Sequence, residues 1–151
     1  MNAPRRRVLP PIWLFLAILA SYLLNRWLPI VVLVPEPWNY VGVVIILLGG
    51  TLAIPSALSF RKAGTPVVPF TPSTKLVTGG WYRVTRNPMY LGMVIVFTGV
   101  AVLAGSLGAF LPLPVLIAIL DLRFIRGEEQ FLEGIFGDEY RQYRARVRRW
   151  I

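Results

Sequence analysis

Apolar residues along this chain fill continuous blocks instead of alternating or keeping to one helical face, and the blocks are separated by short stretches rich in Pro, Gly or charge. A bilayer-crossing helix needs roughly 20 mostly apolar residues. Four blocks approach that length, at about 11–28, 40–60, 89–103 and 109–125. Trp13 and Trp27 flank the first as interfacial anchors. Pro35 and Pro37 break the chain before the second, which carries Gly49, Gly50 and Pro55, the marks of a close helix contact or a kink. A tight turn at 104–108 joins the third and fourth blocks into a helical hairpin, with Pro112 and Pro114 near the start of the fourth, where proline is best tolerated.

Two stretches break the apolar pattern. Residues 61–88 are polar and turn-rich. Beyond residue 125 the chain becomes amphipathic, with Leu132, Phe136, Tyr140, Tyr143 and Val147 at helical spacing. Gly134 and Gly137 interrupt that run, and Asp138 is placed to cap a second short helix. The pattern predicts an all-α membrane protein of one domain, a bundle of about four transmembrane helices with a cytoplasmic amphipathic carboxyl-terminal helical segment.

Composition strengthens the membrane assignment. The 151 residues are 56% hydrophobic and only 15% charged, against about a quarter charged in an ordinary soluble domain. The net charge is +9, which in a soluble protein suggests nucleic acid. Here it reads as topology and contact with anionic lipid headgroups, so no nucleic-acid partner is expected. With four spans, Arg26 is the only basic residue on one side. Arg5, Arg6, Arg7, Arg61, Lys62, Lys75, Arg83, Arg86 and every basic residue from Arg123 onward fall on the other. That asymmetry predicts both termini in the cytoplasm. No small-residue cleavage site clearly follows the basic amino terminus and Asn25-Arg26 closes the first run, so an uncleaved first span is expected. A bacterial or archaeal inner membrane is favoured over the endoplasmic reticulum.

The absence of Cys and His narrows the chemistry. It removes thiolate nucleophiles, imidazole bases and the common zinc and haem sites, so no metal is expected. The unusual polar residues gather in two places, at 79–92 leading into the third span and at Arg126-Gly127-Glu128-Glu129 leaving the fourth. A hairpin of spans three and four brings these groups to the same membrane face. Arg83 and Arg86 also read as plain positive-inside residues, Tyr82 and Tyr90 as belt aromatics, Gly92 as a helix-packing residue and Glu128-Glu129 as a solvated face. Asp121, inside the last turns of span four, is either a functional residue or an arginine's partner.

Three stretches carry a resemblance: Gly80-Trp81-Tyr82-Arg83 with Arg86-Asn87-Pro88-Met89-Tyr90-Leu91-Gly92; Glu128-Glu129 with Leu132; and Phe136-Gly137-Asp138-Glu139-Tyr140 with Tyr143 and Val147. In order and placement the chain resembles the isoprenylcysteine carboxyl methyltransferase and phospholipid methyltransferase group of membrane enzymes. The resemblance implies a cytoplasmic-face site for S-adenosylmethionine, with S-adenosylhomocysteine as product. Tyr82, Arg83, Asn87, Pro88, Tyr90, Gly92, Glu128 and Glu129 are then cofactor-binding, and Arg86 and Arg146 hold the acceptor as catalytic residues. Asn87 stands where the isoprenylcysteine branch often has His, and Asn cannot carry a proton or charge.

The resemblance implies an S-adenosylmethionine-dependent methyltransferase. Its acceptor is a lipophilic small molecule or a lipidated group: an isoprenylcysteine-type carboxylate or a phospholipid amine. A small-thiol or other small-molecule acceptor is the alternative within the family. A non-enzymatic membrane scaffold or transport subunit is the alternative outside it. Membrane lipids are partners in every case, and the sequence leaves the oligomeric state open.

Overall fold

The computed structural model describes residues 9–68, 70–71 and 74–151. Arg5, Arg6 and Arg7, part of the charge argument, lie outside the described residues. The fold is all-helical, with four long helical stretches: α1 Pro10–Trp27, α2 Val41–Ala63, α3 Pro88–Ala104 and α4 Leu107–Phe136. A short α5, Asp138–Arg146, follows. Among the described residues, two helices are long and apolar enough to cross a membrane, Trp38–Ala63 and Leu107–Phe136, and α3 is a shorter apolar helix.

Proline and glycine set several boundaries. Pro10 and Pro88 sit in the first turns of α1 and α3, where the missing N–H costs nothing. Gly64 and Gly105 end α2 and α3 in the left-handed conformation, at φ of 69° and 79°. The sequence pattern ends the fourth span near residue 125 and follows it with an amphipathic segment; in the structure the two are one continuous helix, running through a π-helical stretch, Leu120–Ile125, into Arg126–Phe136. A π turn is rare within an α-helix and occurs frequently at functional sites. Here it lets one helix carry both an apolar segment and the acidic pair Glu128-Glu129.

The most extensive helix contact is between antiparallel α2 and α3. Gly42 and Gly49 are seven residues apart, as are Gly92 and Gly99, so each pair forms one stripe of its helix. The stripes face each other: a Cβ on Gly49 would stand 2.7 Å from the Gly92 carbonyl oxygen, and one on Gly99 the same distance from that of Gly42. Small residues allow this backbone approach, the usual currency of helix association in lipid. The core lies mainly among α1, α3 and α4, where Phe97, Ala101, Ala109, Leu116, Leu120 and Ile125 are buried. Outside it, Phe15, Leu47, Leu48, Ile54, Val115 and Leu122 are exposed, a larger apolar surface than a water-facing monomer presents.

One end of the bundle is tied by backbone bonds. Leu33 and Val34 donate to the Gly105 carbonyl, and Leu107 donates to that of Val31. Ser106 Oγ donates to Asn25 Oδ1 at 2.6 Å, and Asn39 Nδ2 to the Leu103 carbonyl. This end carries Arg26 and Glu36. The opposite end gathers Arg61, Lys62, Arg83, Arg86, Arg123 and Arg126, and the site lies there.

Candidate active site

The loop leading into α3, the polar end of α4, and α5 with its tail meet at the basic end. A short 3₁₀ turn, Gly80–Arg83, starts with Gly80 at φ 59°, a conformation suited to a residue without Cβ. Tyr82 in that turn is buried and stacks edge-on with Phe60 of α2, the ring centroids 5.6 Å apart. Tyr143 of α5 donates its hydroxyl to the Tyr82 carbonyl at 2.7 Å. Burial pushes the Tyr143 hydroxyl well above the ordinary phenol range, reinforced by Tyr140 nearby, so Tyr143 remains a donor.

The tail beyond α5 returns across the loop before α3. Thr85 and Arg148 form a parallel bridge, and the Arg86 amide donates to the Arg148 carbonyl at 2.9 Å. The Arg149 carbonyl accepts from Thr85 Oγ1 and from Asn87 Nδ2, both at 3.0 Å. Asn87 occupies the cap position of α3 without capping it through its side chain, because its amide is spent on the tail.

These connections hold a charged constellation. The Glu129 carboxylate accepts from Arg149 Nη2 at 2.7 Å and Arg149 Nε at 3.1 Å, a fork against both oxygens. Arg86 Nη1 stands 3.2 Å from Glu129 Oε1. That ion pair is close but poorly aligned: Arg86 Nε and Nη1 are buried without an aligned acceptor among the described residues, and the Tyr140 hydroxyl lies beside the same guanidinium. The Arg86 and Glu129 side chains are only 9% and 8% exposed. Beside them, Tyr90 donates its hydroxyl to Glu128 Oε2 at 2.9 Å. Arg149 Nη1 continues outward to Asp121 Oδ1 at 3.6 Å, and Asp121 also pairs with Arg126 at 2.7 Å. Asp121 therefore stands as an arginine's partner.

The cavity enclosed here is about 40 Å³. Arg86, Asn87, Tyr90, Glu128 and Glu129 give its polar side, with Tyr82, Tyr140 and Tyr143; Phe60, Val67, Leu76, Val77, Met89 and Leu132 give the apolar side. Six of the ten residues expected from sequence are thus brought together: Tyr82, Arg86, Asn87, Tyr90, Glu128 and Glu129. The other four stand elsewhere. Gly92 packs against Gly49 and Ala53 of α2, one turn farther along α3. Pro88 is buried as the first residue of α3. Arg83 is exposed on the outer side of the 3₁₀ turn. Arg146 is exposed too, its Nε donating to the Gln142 carbonyl one turn back at 3.3 Å. The basic residue that reaches the site from the tail is Arg149. The only trace of it in sequence is the Arg148-Arg149 doublet after Val147, which looks like ordinary positive-inside charge.

Residues 38–139 match the phospholipid methyltransferase family, so the chain belongs to a family of membrane methyltransferases. Among its curated relatives is a probable protein-S-isoprenylcysteine O-methyltransferase of Oryza sativa subsp. indica, 28% identical over 74% of this chain and 61% of the relative. The protein-S-isoprenylcysteine O-methyltransferase of Schizosaccharomyces pombe is 36% identical over 48% of this chain and 30% of its own length. Methanethiol S-methyltransferase 1 of Bradyrhizobium diazoefficiens is 33% identical over 44% of this chain and 22% of its own. The chain thus spans less than two thirds of these relatives. No solved structure matches it.

Proposed function

We propose that the chain is an S-adenosylmethionine-dependent methyltransferase of the membrane, using the pocket between α3, α4 and the tail to methylate a lipophilic acceptor. One observation carries the reading: Arg86, buried with two donor atoms that make no aligned hydrogen bond, one of them ion-paired to Glu129, faces a cavity that also presents Glu128 and Glu129. Free donors in a nearly buried guanidinium are costly unless an acceptor joins them. A carboxylate answers that need, and carboxylates occur both in the cofactor and in an isoprenylcysteine-type acceptor.

The donor set fits the cofactor. Glu128 and Glu129 accept from an ammonium or ribose hydroxyls, Arg86 takes a carboxylate, and Phe60, Leu76, Val77 and Leu132 offer an apolar wall to a purine. The 40 Å³ of enclosed space is far below the roughly 300 Å³ at the lower end of ligand pockets. Binding therefore draws apart the walls that Val67, Leu76 and Val77 now close. Held by Arg86, Glu128 and Glu129, the cofactor would supply a methyl already activated on sulfonium for transfer to the acceptor. The chain's own part is to orient donor and acceptor and to exclude water, tasks that need neither His nor Cys.

Four membrane crossings with the basic end in the cytoplasm fit this chemistry, the soluble cofactor arriving from water and the acceptor from lipid. A groove lined by Pro114, Ile117, Ala118, Leu122 and Trp150 runs up to Arg149 and Asp121 from the lipid-facing side, which supports a lateral approach for a hydrocarbon chain. Incubation of the purified protein in lipid nanodiscs with methyl-labelled cofactor tests the reading against a prenylcysteine carboxylate, phosphatidylethanolamine and an alkyl thiol. Label in a lipophilic acceptor is expected; label only in the thiol moves the acceptor class to small molecules, and label in none refutes the activity.

A further inference from the structure

We infer that Arg149 is a positioning residue: its fork on Glu129 limits that carboxylate to one misaligned contact with Arg86, and so leaves Arg86 able to receive a carboxylate ligand. The inference rests on the proposed methyltransferase reading and deepens its site.

One buried carboxylate lies between two guanidinium groups. Arg149 engages both its oxygens, at 2.7 and 3.1 Å. Arg86 approaches only Oε1, at 3.2 Å and out of line, and its Nε and Nη1 lack acceptors. The Arg149 fork takes both oxygens, and Arg86 is left beside a single one. The geometry therefore records a competition that Arg149 has won. It wins because its backbone is fixed. The Arg149 carbonyl is held by Thr85 and Asn87, and the Arg148 carbonyl by the Arg86 amide. Asp121 steadies the outer edge of the same guanidinium at 3.6 Å. The tail thus does more than cover the pocket. It neutralises Glu129 from outside, so that the inner arginine keeps its hydrogen-bonding capacity for a ligand.

Removing Arg149 lets Glu129 turn onto Arg86. The first readout needs no ligand: the Arg86 Nε–H signal in protein labelled with ¹⁵N-arginine, assigned with Arg86→Lys. In Arg149→Ala this signal should shift and exchange more slowly with solvent as Glu129 becomes its acceptor. In Arg149→Ala/Glu129→Gln it should return toward the wild-type position. The second readout is affinity, using S-adenosylmethionine, S-adenosylhomocysteine and a prenylcysteine carboxylate as probes. A loss of at least tenfold in cofactor affinity in Arg149→Ala assigns Arg86 to the cofactor carboxylate. An unchanged cofactor affinity with a tenfold higher acceptor KM, at a kcat changed far less, assigns it to the acceptor.

In either case the double variant should restore the Arg86 signal toward wild type, which a merely structural role would not produce. Arg149→Lys, which keeps charge without the fork, should fall between wild type and Arg149→Ala. An Arg86 signal unmoved in folded Arg149→Ala overturns the inference, as does a signal that the double variant leaves where Arg149→Ala put it. If wild type binds none of the probes, the methyltransferase reading fails, while the Arg86 signal still decides what Arg149 does.

Discussion

Gly92→Ala separates packing from ligand contact at a residue that family resemblance assigns to the pocket. The added Cβ would lie 2.7 Å from Ala53 Cβ and from the Gly49 carbonyl oxygen, and 2.8 Å from the Ala53 amide nitrogen. Ordinary contact begins near 3.4 Å, so α2 and α3 must part by about 0.7 Å at this level. Two of the three obstacles are backbone atoms that cannot turn aside. Overpacking of this kind costs about 1–3 kcal/mol. The exchange of Gly for Ala also favours the helix by up to about 1 kcal/mol, which obscures the cost when the variant is compared with wild type alone. Gly50→Ala removes that ambiguity. It lies one residue from Gly49 on the same helix and nothing stands within 4 Å of its added Cβ. The propensity gain is common to both variants, so their difference reads the clash alone.

At roughly 2–4 °C per kcal/mol for a chain of this size, Gly92→Ala should melt about 2–12 °C below Gly50→Ala. Thermal unfolding in one detergent, followed by tryptophan fluorescence, gives the comparison. Cofactor affinity at a temperature where both are folded should be equal in the two. Equal melting temperatures would refute the close-packed glycine stripes. A selective loss of affinity in Gly92→Ala without loss of stability would return the residue to the pocket.

Other predictions follow from the way the tail and α5 are held. Tyr143→Phe leaves the buried Tyr82 carbonyl without its donor, which should cost about 1–3 kcal/mol; limited proteolysis should show the chain beyond residue 137 cut faster, and unchanged cleavage would mean the bond carries no tethering. Arg83→Ala and Arg146→Ala remove exposed side chains that do not line the cavity, so each should keep cofactor affinity within about twofold in a calorimetric titration. A tenfold loss in either would show that the bound state recruits arginines from outside the present cavity.

The helices were legible because lipid imposes a simple code. Apolar blocks at 11–28, 40–60 and 89–103 correspond closely to α1, α2 and α3, since a backbone facing hydrocarbon must satisfy its own hydrogen bonds as a helix. The fourth block was less legible. Arg126-Gly127-Glu128-Glu129 looks like the end of a span, yet backbone bonding continues through the π stretch to Phe136 because nothing there breaks a helix. The gathering of Arg86, Tyr90, Glu128 and Glu129 at one end follows from the hairpin alone.

Which arginine pairs with Glu129 does not follow from that hairpin. Arg146 and Arg149 both lie near the tail Val147, and periodicity says nothing about a chain that leaves its helix. The β-like bridge between Thr85 and Arg148 decides it, a contact across more than 60 residues without a local signal. Gly92 was ambiguous for the opposite reason. A glycine beside a pocket motif and a glycine in a packing stripe look the same until its partner helix is known; only the matching interval between Gly42 and Gly49 hints at the second role.

The most direct test of the central claim is a calorimetric titration of S-adenosylmethionine into the protein in native-like lipid, wild type beside Glu129→Ala. Saturable micromolar binding is expected in wild type. In the folded variant, which takes one of the two acidic side chains from the cavity and leaves Arg149 without its fork, binding should weaken by at least tenfold, about 1.4 kcal/mol. Absence of saturable binding to folded wild type, or equal affinity in the two, would contradict the assignment of this pocket to the cofactor.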